Sequence, residues 1–451
     1  MAPFSLLPLA ILAPLLLVSF LRTRTIPLPA NFKPLFFFLL FALATSLVAL
    51  LDPPLALRGA TLLDRMVRGW VSLLLGLGFF FTAFWMNRSA QDLRYSLKRI
   101  YWGLGLTIFW SLIQAVAINT PLIPRQFINH IQLLFSTRAL LPRRISGFAY
   151  EPAWLADQIV IFYLPWLISS LVTFRPLSRN KWLEPLLLVG SLIVLVFTFS
   201  RGGLLTAAVG LVLVFIIFGR NLFEKLFQWS ALPFRMGKQG VPDAVLRISL
   251  LLLLVLSLFA AVSFLLTYGY FARVLEVAEA DSLVDYVVDI GGGPRLAYAL
   301  AGYEIFVHRP ITGIGLGASG LELLQSIPDW SSNLPEVARQ LSPDSNLIPN
   351  IKNLYVRLLA ETGLPGFWAF LVFSLSFLTI IRNLALSRDR GLSFVAVAGL
   401  FAWAAIMVRN FTQDSFTFPV MWIILGMLVG QSPSILVKLR TERKLWTKGR
   451  S

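Results

Sequence analysis

Six basic side chains stand at places that invite a chemical reason. Arg143 and Arg144 precede a long apolar run, and Arg201 sits in the tight Ser200-Arg201-Gly202-Gly203 turn between two others. Arg295 follows Gly291-Gly292-Gly293-Pro294, and Lys352 and Arg357 lie five residues apart in a segment patterned as a helix. A guanidinium is planar, keeps its charge, and donates two parallel hydrogen bonds, which suits it to phosphate oxygens. Five or six such cations gathered on one face would hold a diphosphate, although any single one would as readily reach a lipid headgroup or a nearby carboxylate. Glu151 and Asp157 flank the start of the apolar run after Ala149-Tyr150, and Asp157 lies a turn inside it, where an ionisable group is a functional candidate. A carboxylate there can take a proton from a hydroxyl or pair with Arg144. Glu361 closes a stripe of Asn350, Asn353, Arg357 and Glu361 at helical spacing, and Asn353 and Tyr355 complete the polar candidates.

Other patterns carry less. Asp281, Asp285 and Asp289 repeat every four residues, as on a solvated helix face. Gly315-Leu-Gly317-Ala-Ser-Gly320 has the spacing of a dinucleotide loop but lacks the strand and helix around it, so it is expected to form a turn whose amides face an anion. With no Cys and only His130 and His308, thiolate and His-rich metal sites are excluded, and no cofactor is implied. The chain has no Walker motif, no nucleophile elbow and no paired carboxylates in residues 52–69.

The elements that must position these side chains are membrane helices. A mean hydropathy of +0.76 and 57% hydrophobic residues exceed what a soluble chain carries, and apolar runs recur near the ~20 residues that cross a bilayer. Eleven spans are predicted, at 4–21, 34–51, 70–86, 100–118, 153–174, 183–200, 202–219, 248–270, 365–381, 392–408 and 416–437; one missed near the N-terminus would make twelve. The first is expected to be a retained span rather than a signal peptide, since no basic region precedes it. Alternate loops (22–33, 87–99, 175–182, 220–247, 382–390 and the tail after 437) hold 24 of the 39 Lys and Arg residues, against 13 in the longer opposite set. Positive loops face the cytoplasm, so the C-terminus is expected inside and the long acidic interval outside. The net charge of +17 therefore reflects topology and does not imply nucleic acid.

The fold class is thus an all-α polytopic membrane protein with a large external loop. Residues 1–270 hold eight spans and the external loop 119–152, 271–364 form the large outer loop, and 365–451 hold three spans and a basic tail. Eleven of the 22 acidic residues fall in that outer interval, among them Glu276, Glu279, Glu304, Glu322, Asp329, Glu336 and Asp344. Two amphipathic surface helices are expected in it. One starts at Pro294 with an apolar stripe of Leu296, Leu300, Tyr303 and Val307; the other spans Asn350 to Glu361, is capped by Gly363, and is followed by Pro365 opening the next span.

Three stretches resemble the O-antigen ligase and O-antigen polymerase superfamily of bacterial envelope proteins. They are Arg144-Ile-Ser-Gly-Phe-Ala-Tyr-Glu151-Pro152, Phe199-Ser-Arg201-Gly202-Gly203, and Arg295 through Pro310-Ile-Thr-Gly-Ile-Gly-Leu-Gly317 to Asn353-Leu-Tyr-Val-Arg-Leu-Leu-Ala-Glu361-Thr-Gly363-Leu-Pro-Gly366. The resemblance implies a metal-independent membrane glycosyltransferase of GT-C-like fold in the bacterial inner membrane. It would take glycan from undecaprenyl diphosphate on the periplasmic face and pass it, with inversion, to a sugar hydroxyl of an acceptor glycan or glycolipid; chain-length and flippase proteins would be its partners. Arg201 and Arg295 match the family arginines that hold the diphosphate, with Arg144 and Arg357 as further contacts. Lys352 stands where ligases of the family carry His. A Lys is no base near neutral pH unless its pKa is lowered by several units, so Lys352 is assigned to the diphosphate. That favours a polymerase over a ligase acting on lipid A-core, with Glu151 and then Glu361 as candidate base. A transporter of lipid-linked sugar or a small anion is the competing class. The chain shows no inverted repeat, and its basic residues gather at one face rather than the midplane.

Overall fold

Long apolar runs become helices in lipid because every backbone amide must be satisfied within the segment. The structure, a computed structural model, describes residues 6–136, 138–178, 180, 182–235, 252, 282–433 and 435–438. In chain order its helices are α1 (Leu6–Thr23), α2 (Phe32–Ala49), α3 (Leu62–Met86), α4 (Ala90–Asn119), α5 (Arg125–Leu133), α6 (Pro152–Gln158), α7 (Leu164–Thr173), α8 (Leu183–Phe197) and α9 (Arg201–Arg235). They continue with α10 (Leu283–Asp289), α11 (Gly293–His308), α12 (Ser319–Glu322), α13 (Pro335–Leu341), α14 (Leu354–Leu386), α15 (Arg390–Arg409) and α16 (Pro419–Gly430). Among the described residues eight helical segments are long and apolar enough to cross a membrane, and α8 and α16 are shorter apolar helices. The expected span 248–270 lies outside the described residues, as do Glu276, Glu279 and Asp281.

Several boundaries differ from expectation, each for a local reason. α4 begins ten residues before the expected span because Ser89 caps it, accepting the Asp92 amide at 3.1 Å, and its charged first turns continue the helix out of the apolar zone. α9 starts at Arg201 and runs to Arg235, well past 219. The expected outer helix and the following span are both present within α14, separated by a break at Gly363. Between α6 and α7 the chain makes a π turn over Ile159–Tyr163. Pro165 lacks the amide that the preceding turn needs and crowds the carbonyl four residues back, which accounts for the widening.

Loop contacts sort the chain into two ends. At one end, β1 (Thr25–Leu28) pairs antiparallel with β2 (Ile435–Lys438), Gln431 Nε2 donates to the carbonyls of Asn87 (2.6 Å) and Ser89 (3.1 Å), and Arg94 reaches the Leu177 carbonyl. At the other, Arg309 pairs with Asp52 at 2.8 Å, Arg144 bonds the Thr198 carbonyl, and Leu354 N–H bonds the Asn410 carbonyl. These are the two loop sets that the Lys and Arg count separates.

The bundle is held by close approach and aromatic packing, the forces left where lipid removes the hydrophobic drive between helices. α16 presents Gly426-x-x-x-Gly430 to α3; a Cβ at Gly426 would lie 2.3 Å from the Phe80 carbonyl oxygen, and one at Gly430 2.5 Å from that of Asn87. Phe38, Phe80, Phe370, Phe373, Phe377, Phe416 and Trp422 fill the centre, all buried. α11 packs on α14 through its small residues. Its buried face is Ala297, Ala301 and Gly302 with Tyr298 and Ile305, whereas Leu300, Tyr303 and Val307 are exposed. The apolar stripe expected on this amphipathic helix is thus an exposed face, suited to the bilayer interface.

Candidate functional site

α6 is the pivot of the outer end. Glu151 precedes it, Pro152 fits its first turn, and Asp157 points from its last turn into the bundle. Asp157 Oδ2 accepts Arg409 Nε of α15 at 3.2 Å, with Asp157 9% and Arg409 2% exposed. The Arg409 guanidinium lies 4.3 Å from the Phe418 ring centroid, and the charge of Arg295 also bears on Asp157. Arg409 Nη1 is buried and has no partner among the described residues.

The loop before α6 hangs from one side chain. Gln114 Oε1 accepts the amides of Ser146 (3.2 Å) and Gly147 (2.8 Å), and its Nε2 donates to Gln132 Oε1 (2.8 Å) and the Gly147 carbonyl (3.1 Å). Arg144 Nε donates to the Thr198 carbonyl at 2.9 Å, tying the loop to the turn that presents Arg201. Arg138 forms an ion pair with Glu151 and stacks 5.7 Å over Tyr150. Ser200 Oγ accepts the Gly203 amide at 3.2 Å, so Arg201 enters the first turn of α9, and its guanidinium donates to the Ile290 carbonyl just before α11. Arg295 is exposed on the first turn of α11.

A second cluster surrounds the start of α14. Asn353 caps it, accepting the amides of Tyr355 (3.0 Å) and Val356 (3.2 Å), and Tyr355 OH donates to the Met407 carbonyl at 2.9 Å. Lys352 adopts φ +58°, its amide directed to Asp414 Oδ2 at 3.3 Å. Its ammonium pairs with Glu336 of α13 and lies 5.2 Å from the Tyr298 ring. Burial, and then the Glu336 charge, push the Tyr298 hydroxyl above the usual tyrosine range. The expected exposed stripe of α14 is instead internal: Glu361 is 1% exposed and accepts Ser319 Oγ (2.7 Å) and Arg357 Nε (3.0 Å), while Arg357 Nη1 donates to the Asp414 carbonyl (2.7 Å). Burying a carboxylate requires partners of this kind, which is why the polar face turns inward. The glycine turn offers no open amides at Gly313, Ile314, Gly315, Leu316 or Ala318, which bond Arg309, Ala360, Glu361, Ser46 and Gly315.

Beside α6 runs a groove of about 870 Å³ between α1, α3, α4 and α16. Asn87 and Ser96 mark one end, and Leu9, Phe79, Ile100, Phe162, Ile423 and Met427 line its body. Tyr150, Trp154 and Phe418 close the outer end, with Arg138 and Arg409 on the faces of the first and last of these rings. The structure therefore brings Asp157, Arg295 and Arg409 together, links Arg201 to the head of α11, and sets Lys352 over α11. Arg138, Ser319, Glu336, Arg409 and Asp414 were not singled out from sequence. Arg409 ends an apolar run, so the rule that flags Asp157 would have flagged its partner; Glu336 had no signal among eleven acids of one loop.

Residues 186–371 match the family model described as O-antigen ligase. The matched segment contains Arg201, Arg295, Glu336, Lys352, Arg357 and Glu361 and leaves Glu151, Asp157, Arg409 and Asp414 outside. No curated protein matches the chain. Through this segment the chain is similar to the O-antigen ligase family.

Proposed function

We propose that the protein is a metal-independent, inverting glycosyltransferase that polymerises or transfers undecaprenyl-diphosphate-linked glycan at the outer face of the membrane. The observation that carries this reading is the apolar groove whose aromatic outer end abuts fixed guanidinium groups. A polyprenyl chain is apolar along its length and its diphosphate is multiply charged, so a binding site for it needs this union of surfaces. Arg201 and Arg295 take the diphosphate. Arg138 and Arg409, oriented by Glu151 and Asp157, present guanidinium groups at the outer end of the groove. Arg144 serves to hold the loop, and Arg357 and Glu361 position the α14 end of the site. Charge builds on the diphosphate as the glycosidic bond breaks, and cations fixed in advance stabilise that change most in the transition state. Lys352 in the acceptor-side cluster favours polymerase. The description of the matched family favours ligase, and the acceptor assay separates the two.

The test is purified protein with chelator, an undecaprenyl-diphosphate oligosaccharide, and either glycan or glycolipid acceptor. Lengthened or transferred glycan with free lipid diphosphate is expected, and Arg201→Ala or Arg295→Ala should each lower the rate on the order of 10²–10³-fold while remaining monodisperse. Movement of lipid-linked sugar across vesicles with no glycan transferred to either acceptor would replace this reading with a transporter.

A further inference from the structure

We infer that Glu336 is the base that takes the proton from the acceptor hydroxyl, an inference that rests on the glycosyltransferase reading above. The other carboxylates near the cationic face are committed elsewhere. Glu361 is buried between Ser319 and Arg357, Asp157 is buried against Arg409, and Asp414 is buried and receives the Lys352 amide. Glu151 is held by Arg138 beside the aromatic end of the groove, on the side of the lipid. Glu336 stands away from that lipid end, its side chain 44% exposed, and so is able to meet a sugar.

Its position follows from three contacts. Leu334, two residues earlier, packs on the head of α11, where a Cβ at Gly293 would lie 2.9 Å from Leu334 Cδ1. Tyr298 lies one helical turn after Arg295, on the same side of α11. Lys352 lies over that Tyr298 ring and binds Glu336. The Lys352–Glu336 pair thus stands against the residue that follows Arg295 by one turn of α11. Lys352 cannot swing freely to some other partner: Ile351 before it is fully buried, Asn353 after it caps α14, and Leu354 N–H is bonded to Asn410. Its left-handed backbone is uncommon for a lysine, and strain of this kind collects where function needs a fixed direction. A charged lysine is a poor base, and the group it pairs with is a carboxylate, the kind of group that accepts a proton from a hydroxyl.

In the step, the proton of the acceptor O–H passes to a Glu336 carboxylate oxygen as that acceptor oxygen bonds to the anomeric carbon on the face opposite the diphosphate. The bond from the anomeric carbon to the diphosphate oxygen breaks, and its electron pair leaves with the lipid diphosphate. Glu336 then gives the proton to solvent.

The test uses full-length protein in nanodiscs with the lipid-linked oligosaccharide donor, and compares Glu336→Gln, Glu336→Asp and, as control, Glu304→Gln on the outer face of α11. Glu336→Gln should lose roughly 10²–10⁴ in kcat, with donor KM changed less than about twofold, Glu336→Asp should keep part of the rate, and the control should match wild type. A Glu336→Gln protein with wild-type kcat, or one impaired through KM alone, overturns the assignment. Wild-type protein that transfers nothing would sink both readings, whereas an active wild type with an active Glu336→Gln sinks only this one.

Discussion

Breaking the Asp157–Arg409 pair tests the internal electrostatics directly. Nε and Oδ2 are 3.2 Å apart with both residues almost wholly buried. At an effective dielectric of about 20 the attraction is roughly 5 kcal/mol, and withdrawing each ion from water costs several kcal/mol, so the intact pair contributes little net stability. Removing one partner is different, because the other stays buried and uncompensated, at a cost of about 3–5 kcal/mol. The two single variants should differ. After Asp157→Leu, Arg409 is left buried with no carboxylate; after Arg409→Met, Asp157 keeps the attraction of Arg295. Asp157→Leu should therefore melt lowest, Arg409→Met higher, and the apolar double variant close to wild type, as read by thermal melting in detergent followed by size-exclusion. A double variant that melts at the sum of the two single losses would refute the argument, since it would mean that the charges act independently.

Two further outcomes follow from the outer loops. Gly317→Ala puts a Cβ 2.4 Å from the Arg65 carbonyl oxygen at φ +92°, whereas Gly59→Ala at φ +78° meets nothing within 4 Å. Gly59→Ala should cost only the ~1–2 kcal/mol of left-handed backbone, and Gly317→Ala that amount plus about 1–3 kcal/mol of overpacking, so equal melting temperatures would contradict the packing. Burial raises the Glu322 carboxyl above the usual carboxylate range and Asp52 adds to the rise, with Arg309 and His308 opposing it. A folded-state pKa that is raised gives stability fully present below the ordinary carboxylate range and lost as pH rises through the pKa of Glu322. Glu322→Gln should thus melt above wild type at neutral pH with the gap closing in acid, and a gap constant with pH would contradict that cause.

The helices were legible because a span leaves a long apolar run, and the two ends were legible because Lys and Arg partition by side. What the sequence hides is rotation about each helix axis. On α11 the apolar stripe Leu296, Leu300, Tyr303 and Val307 marks an amphipathic helix but not its packing face, since between membrane helices small residues make the closest contact, and Ala297, Ala301 and Gly302 face inward. The GxxxG pair of α16 carried the same signal in plain view. On α14 the polar stripe looks like a wet face, but its charges find Ser319 and Asp414 from distant segments, and no local pattern reports those partners. Partner identity is a tertiary fact: Glu151 pairs with Arg138 and Asp157 with Arg409, while Arg144 reaches the Thr198 carbonyl.

The same consideration bears on which carboxylate can act. A base must be reachable during the step, and that demand conflicts with burial. Glu361 fails it at 1% exposure. Glu151 is reachable, but its partner Arg138 lies on Tyr150, which lines the apolar groove, so under the proposed reading it answers to the lipid end of the donor. Glu336 meets it, since α13 leaves the carboxylate in the open beside Lys352. Under the same reading the donor would be met by Arg201 and Arg295, and the acceptor by a carboxylate carried on a short helix of the loop between α9 and α14. That division makes a specific demand on mutants: changes at Arg201 or Arg295 should reach the donor, and changes at Glu336 only the turnover of the bound complex.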